Sequence, residues 1–221
     1  MADTGAAILE EAYKNAGATG HVMIFAAGND GQNIDTSKYP CTLSRLIPTS
    51  VCVTHTNLDA PDKYTLAKKA NYGPYVDMTA PGIGVFSTVP LSNYVYMSGS
   101  SMAAPHVAGV AGMLASMNLN GEDIIRALRA SVLPLSDNET KFLKDGGGFL
   151  NARQAVENAL KLMGGGQVTT ESWQSTAVPP SGAPESETTT FPSPPETFPG
   201  ISHTIANAGS AFVLLLVLLS F

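Results

Sequence analysis

Two short stretches of this chain hold residues whose types and spacing could do chemistry. In "MSGSSMAAPHVAGVAGML" (97–114), a glycine and three serines lead into an apolar run. Pro105 fits the first turn of a helix, where its ring and missing N–H are tolerated, so Ser101 is expected at or just before the helix N-terminus. Free N–H groups and the helix dipole favour developing negative charge there. Gly99 would let the backbone approach a ligand closely. A serine that only caps the helix gives the same spacing. The second stretch, "FAAGND" (25–30), puts Asn29 just past an apolar run. Ligand sites in open α/β sheets lie outside the carboxyl ends of strands, and a carboxamide there could donate to an oxyanion. An ordinary Gly-Asn-Asp turn uses the same residues.

The elements that must position these residues are legible around them. Residues 4–16 read as a helix capped by Asp3 or Thr4, with Ile8, Leu9, Ala12, Tyr13 and Ala16 on one stripe and Gly17 and Gly20 ending it. "HVMIFAA" (21–27) is a continuous apolar run, the mark of a strand buried on both faces. "SVCVTHT" (50–56) and "YVDMTA" (75–80) are further strands, and "GVFSTV" and "NYVYMS" joined by "PLS" predict a hairpin. Residues 102–117 are long and apolar enough for a buried helix, and "GEDIIRALRASV" and "NARQAVENALKLM" predict two amphipathic ones. Helices and strands alternate early, so the expected fold class is α/β, a parallel sheet with flanking helices. The folded part should stop near Met163.

Composition narrows the function classes. Of 221 residues, 44% are hydrophobic, which suits a globular core, and Lys plus Arg (12) are outnumbered by Asp plus Glu (18) for a net charge of −6. No phosphate-binding surface is expected, and nucleic acid is excluded as a partner. Neither CxxC nor HExxH occurs, so no metal site is predicted and no cofactor is identified. Cys41 and Cys52 are compatible with a disulfide in an oxidising compartment, and equally with two small apolar residues in or beside a strand.

From residue 164 the composition turns to Ser, Thr, Pro and Glu, predicting a disordered linker over 164–204. A segment over 205–221 follows, with small residues ("ANAGS") before the apolar run "AFVLLLVLLSF". Those eleven apolar residues fall short of the ~20 that a spanning helix needs. The pattern is similar to a glycosylphosphatidylinositol-anchor signal, predicting membrane attachment through the tail; a membrane-associating tail or a reading-frame artefact would look alike. The first residues carry acids where the basic region of a signal peptide would stand, so no signal peptide is read.

The two chemical stretches together carry a family resemblance. "GSSMAAPHVAGVAGML" resembles the nucleophile motif of subtilisin-like serine proteases, with Ser101 on the nucleophile and Ser100 where threonine is usual. "AAGND" resembles the strand end carrying that family's oxyanion asparagine, which falls on Asn29. "KYP" (38–40), "NYGPYVDMTAPGIGVFST" (71–88) and "GGGFLNARQAV" (146–156) follow the family's order. The resemblance covers 4–163 and makes residues 1–163 the C-terminal portion of a subtilase catalytic domain with a partial subtilisin-like sheet. It implies a serine endopeptidase acting on peptide or protein substrates through an acyl-enzyme on Ser101. Ala26, Ala27 and Gly28 would wall the pocket for the residue before the cleaved bond. It also implies an extracellular or cell-surface setting and, as in many relatives, bound calcium.

The family places its aspartate and histidine before both motifs, and no residue here matches them. His106 falls on a structural helix position, and His21, His55 and His203 match no family base. "ADTG" (2–5) carries the Asp-Thr-Gly of two protease classes without the apolar strand either needs, so Asp3 reads as a helix cap. Three expectations follow: a C-terminal piece of a secreted protease, a pseudo-enzyme, or a chain completed by a separate N-terminal half. The alternative function is a non-catalytic, surface-tethered remnant that binds peptides or a partner.

Overall fold

A computed structural model of the chain describes residues 4–34, 39–60, 63–136, 139, 142–144, 147–164 and 216–218. Apart from Gly164 and the strand 216–218, the predicted linker and tail lie outside the described residues, as does His203.

The central sheet runs in the order β7, β4, β2, β1, β8, with every neighbouring pair parallel. Its strands are β1 (Met23–Ala26), β2 (Ser50–Ala60), β4 (Met78–Pro81), β7 (Gly148–Phe149) and β8 (Leu216–Leu218). A short β3 (Lys63–Leu66) turns back antiparallel on the far half of β2. The strand pair β5 (Val85–Val89) and β6 (Asn93–Met97) forms a separate antiparallel hairpin.

The apolar runs have a direct explanation. Val22, Ile24 and Ala26 point into one core with Val51, Val53, Met78 and Ala80. Met23, Phe25 and Ala27 point into a second, with Ile34, Leu43, Cys52 and Val76. A strand with a core on each side must be apolar at every position rather than at alternate ones. The first core is roofed by α2 (Ser100–Ser116), which packs across β1, β2 and β4, and by α3 (Gly121–Arg129) and α4 (Ala152–Leu162). Asn120 caps α3, accepting from the Asp123 N–H at 2.9 Å, and Asn151 caps α4 from Gln154 at 3.1 Å. Each such cap stabilises its helix by about 1 kcal/mol.

The second core includes the disulfide between Cys41 and Cys52, with Cα atoms 5.1 Å apart. Of the two readings the cysteines left open, the bonded one is the observed state. A buried carboxylate ties the same face together. Asp77 Oδ2 accepts from the Cys52 N–H at 2.8 Å, while Oδ1 faces Arg129 at 2.9 Å and Lys144 at 3.0 Å. Arg129 also donates to the carbonyls of Ser44 and Ser50, so the cations are held by more than charge.

Two expectations need correction. The helix α2 starts at Ser100, so Ser101 lies inside its first turn and Pro105 one turn further in than predicted. With no N–H on Pro105, the Ser101 carbonyl loses its usual helical donor. The first helix, α1 (Thr4–Ala18), leaves Ile8 and Leu9 exposed; of its predicted stripe, Tyr13 and Ala16 pack against the second core.

Candidate active site

Beyond Ala26 the chain leaves the sheet and turns through Gly28, whose φ of +94° lies in the left-handed region that glycine tolerates. The turn is braced by Asn71, which is 0% exposed. Its Oδ1 accepts from the N–H groups of Asp30 and Gln32, each at 3.0 Å. Its Nδ2 donates to the Ala27 carbonyl at 2.9 Å and to Asp30 Oδ2 at 3.2 Å. Both lone pairs and both protons of the carboxamide are thereby used. A Cβ on Gly28 would sit 2.7 Å from Asn71 Nδ2, so close approach as well as φ requires glycine there.

The start of α2 meets this turn. The Ser100 N–H donates to Asn29 Oδ1 at 2.8 Å, and the Ser100 hydroxyl donates to the same oxygen at 3.1 Å. In return the Gly28 N–H donates to Ser100 Oγ at 3.0 Å. With Oδ1 turned toward α2, the Asn29 Nδ2 is left to donate elsewhere, and the residue is exposed. Ser101 follows directly, half-buried, with no side-chain hydrogen bond among the described residues. Gly99, at φ +147°, donates to the Gly82 carbonyl at 2.7 Å. A Cβ on it would stand 3.0 Å from Asn29 Oδ1. The group approaching this glycine is therefore the Asn29 carboxamide, where sequence reasoning expected a ligand.

The predicted wall is formed differently from its neighbours. Ala26 and Ala27 are each 4% exposed and packed into the two cores, whereas Gly28 keeps accessible backbone. Two residues that sequence reasoning missed hold the arrangement: Ser100, noted only as a hydroxyl in place of threonine, and Asn71. The signal for Ser100 was its adjacency to Ser101. For Asn71 there was none, since its partners lie about forty positions upstream.

None of the described histidines bonds to Ser101. His106 Nδ1 pairs with the Met102 carbonyl at 2.8 Å on the open side of α2. His21 Nδ1 lies 2.8 Å from Thr19 Oγ1 beyond the end of α1. His55, on β2, is buried, and desolvation pushes its pKa down to about 4. Calcium binds through six to eight oxygens that include carboxylates. Among the described residues no group of three or more His, Cys, Asp and Glu could hold a metal ion, so no step is assigned to one.

The chain is similar to known proteins over most of its described length. The model of the subtilase family matches residues 2–149. A thermophilic serine proteinase of Bacillus sp. (strain AK1) is 38% identical over 149 residues, 67% of this chain and 34% of that protein. Thermitase of Thermoactinomyces vulgaris is also 38% identical over 149 residues, 67% of this chain and 49% of its own length. The chain thus spans a third to a half of these two relatives. Among solved structures, the prenylagaramide maturation protease PagA superposes with a TM-score of 0.59 at 27% identity, covering 72% of this chain and 57% of that one. The subtilase cytotoxin SubAB shares the fold, with a TM-score of 0.62 at 21% identity over 71% of this chain and 55% of that one. The sheet topology, the α2 motif and the family match together show that this chain belongs to the subtilase family.

Proposed function

We propose that this chain carries the nucleophile and oxyanion half of a serine endopeptidase. The observation that carries this reading is the hydrogen bonding of Asn29 Oδ1 to residue 100, one position before Ser101. In the proposed reaction Ser101 Oγ attacks a peptide carbonyl. The Asn29 Nδ2 and the Ser101 backbone N–H hold the oxygen that becomes negative, and the amine leaves with the proton taken from Oγ. The backbone at Gly28 forms one wall for the residue before the cleaved bond, with Ala26 and Ala27 supporting it from within the core.

The base that takes the proton comes from outside the described residues. His106 and His21 are turned to backbone and hydroxyl partners. His55 is a weak base at neutral pH, its conjugate acid lying near 4 where a general base works best near 7. The Cys41–Cys52 disulfide supports an oxidising, extracellular or cell-surface setting.

A fluorophosphonate probe tests the proposal on the purified 221-residue chain. The expected result is slow labelling confined to Ser101, slower again in Asn29→Leu. Losing one oxyanion-hole donor costs about 10²–10³ in turnover. Label scattered over other exposed serines, or an Asn29→Leu rate equal to wild type, would sink the assignment. Fast stoichiometric labelling of Ser101 would instead place a working base within this chain.

A further inference from the structure

A cavity of about 320 Å³ lies beside Asn29, apart from the Ala26–Gly28 wall. His55 and Asn57 of β2, Lys68, Lys69 and Ile83 line it together with Asn29. Its chemistry differs from that of the surrounding molecule. The chain as a whole carries a net charge of −6, yet this rim presents two adjacent lysines. Both are exposed, and neither has an ion-pair partner among the described residues. Below them His55 is 2% exposed, and its Nδ1, like the hydroxyls of Thr54 and Thr56 beside it, makes no hydrogen bond. Desolvation keeps the ring neutral at pH 7, and a neutral imidazole still carries one N–H to donate. Asn57 and Asn29 add carboxamides, and Ile83 adds an apolar wall.

We propose that this cavity is a carboxylate-binding subsite, taking either an acidic side chain or the C-terminal carboxylate of a peptide held at Ser101 and Asn29. The location rests on the acyl-transfer reading above; the binding of a carboxylate does not. A short acidic group fits the lining. Its methylenes lie along Ile83 and the lysine stems, and its oxygens meet the ammonium groups at the rim. Lysines at the rim also raise the encounter rate of anionic ligands by steering.

The experiment titrates the isotope-labelled full chain with three N-acetylated hexapeptides, following the backbone amides of Asn57, Lys68 and Lys69 by NMR. One peptide has an internal Glu and an amidated C-terminus. The second has Gln in its place, and the third is the Gln peptide with a free C-terminal carboxylate. We expect one of the two charged peptides to bind roughly threefold or more tightly than the neutral one, as two partly solvated ion pairs would give. The advantage should vanish in the Lys68→Gln/Lys69→Gln double variant. Those side chains are exposed, so an unchanged melting temperature will show that the variant is folded. Preference for the Glu peptide identifies a side-chain carboxylate as the ligand, and preference for the free terminus identifies a peptide end. Equal binding of all three, no binding of any, or a preference that survives the double substitution overturns the subsite. None of these outcomes bears on Ser101, whose labelling is measured separately.

Discussion

The central sheet and the β5–β6 hairpin are both rich in β-branched and aromatic residues, but they occupy opposite environments. Residues of β1 stand between two cores, and those of β6 are exposed throughout, with Tyr96 at 73% and the turn residue Leu91 at 98%. Both lead to the candidate site. The sheet delivers Asn29 from the end of β1, and the hairpin delivers Gly99 to the start of α2. Because α2 is itself packed across β1, β2 and β4, Ser101 is held by the core and not by the hairpin that precedes it. The hairpin is joined near the site through the Gly99 to Gly82 and Gly84 to Ser98 hydrogen bonds. Positional precision in this molecule therefore comes from the layers around the sheet. The hairpin is free to vary in sequence at little structural cost.

The largest expected effect that sharpens this contrast is at Asp77. Replacement by alanine strands Arg129 and Lys144 beside a buried Cys52 N–H, and should lower unfolding free energy by about 3–5 kcal/mol. Urea denaturation at neutral pH measures it; a loss below about 1 kcal/mol would mean the core is not what holds the sheet. Next comes His55. Above pH 6.5 it is neutral in folded and unfolded chains alike. Between 6.5 and about 4 the unfolded chain takes up a proton that the folded chain refuses. Stability should therefore fall with pH through that window by up to about 1.4 kcal/mol per unit, and level off in this respect below 4. His55→Ala should flatten the slope between pH 6.5 and 5; an unaltered slope would assign it to other groups. The smallest effect belongs to the hairpin. Tyr96→Ser should change stability by no more than about 0.5 kcal/mol, and a loss of 2 kcal/mol would erase the distinction between the regions.

Much of the fold was legible because its signals are local. The run 21–27, the hairpin around "PLS" and the amphipathic α3 and α4 all appear close to their expected places. What was missed depends on contacts distant in sequence. The "KYTL" of β3 does alternate, with Tyr64 and Leu66 against the second core, but four residues are too short a run to stand out, and β2 extends past the sheet to receive them. Gly148 and Phe149 form β7 by falling beside Met78 and Thr79. Pro105 misled the reading of α2 because proline usually marks the first turn, whereas here it stands one turn further in and leaves the Ser101 carbonyl without its helical donor. At the site, the residue types of Ser101 and Asn29 were readable. The buried brace from Asn71 was not, since nothing in its neighbours along the chain shows that it reaches a loop some forty positions upstream.

The hydroxyl of Ser100 has a single proton, and that proton is given to the Asn29 oxygen while its lone pair receives the Gly28 amide. This small relay has only one direction, so the polarity of the Asn29 carboxamide is decided as the chain folds. In the proposed reaction, the amide hydrogens of Asn29 would therefore be turned away from α2 before any peptide arrived.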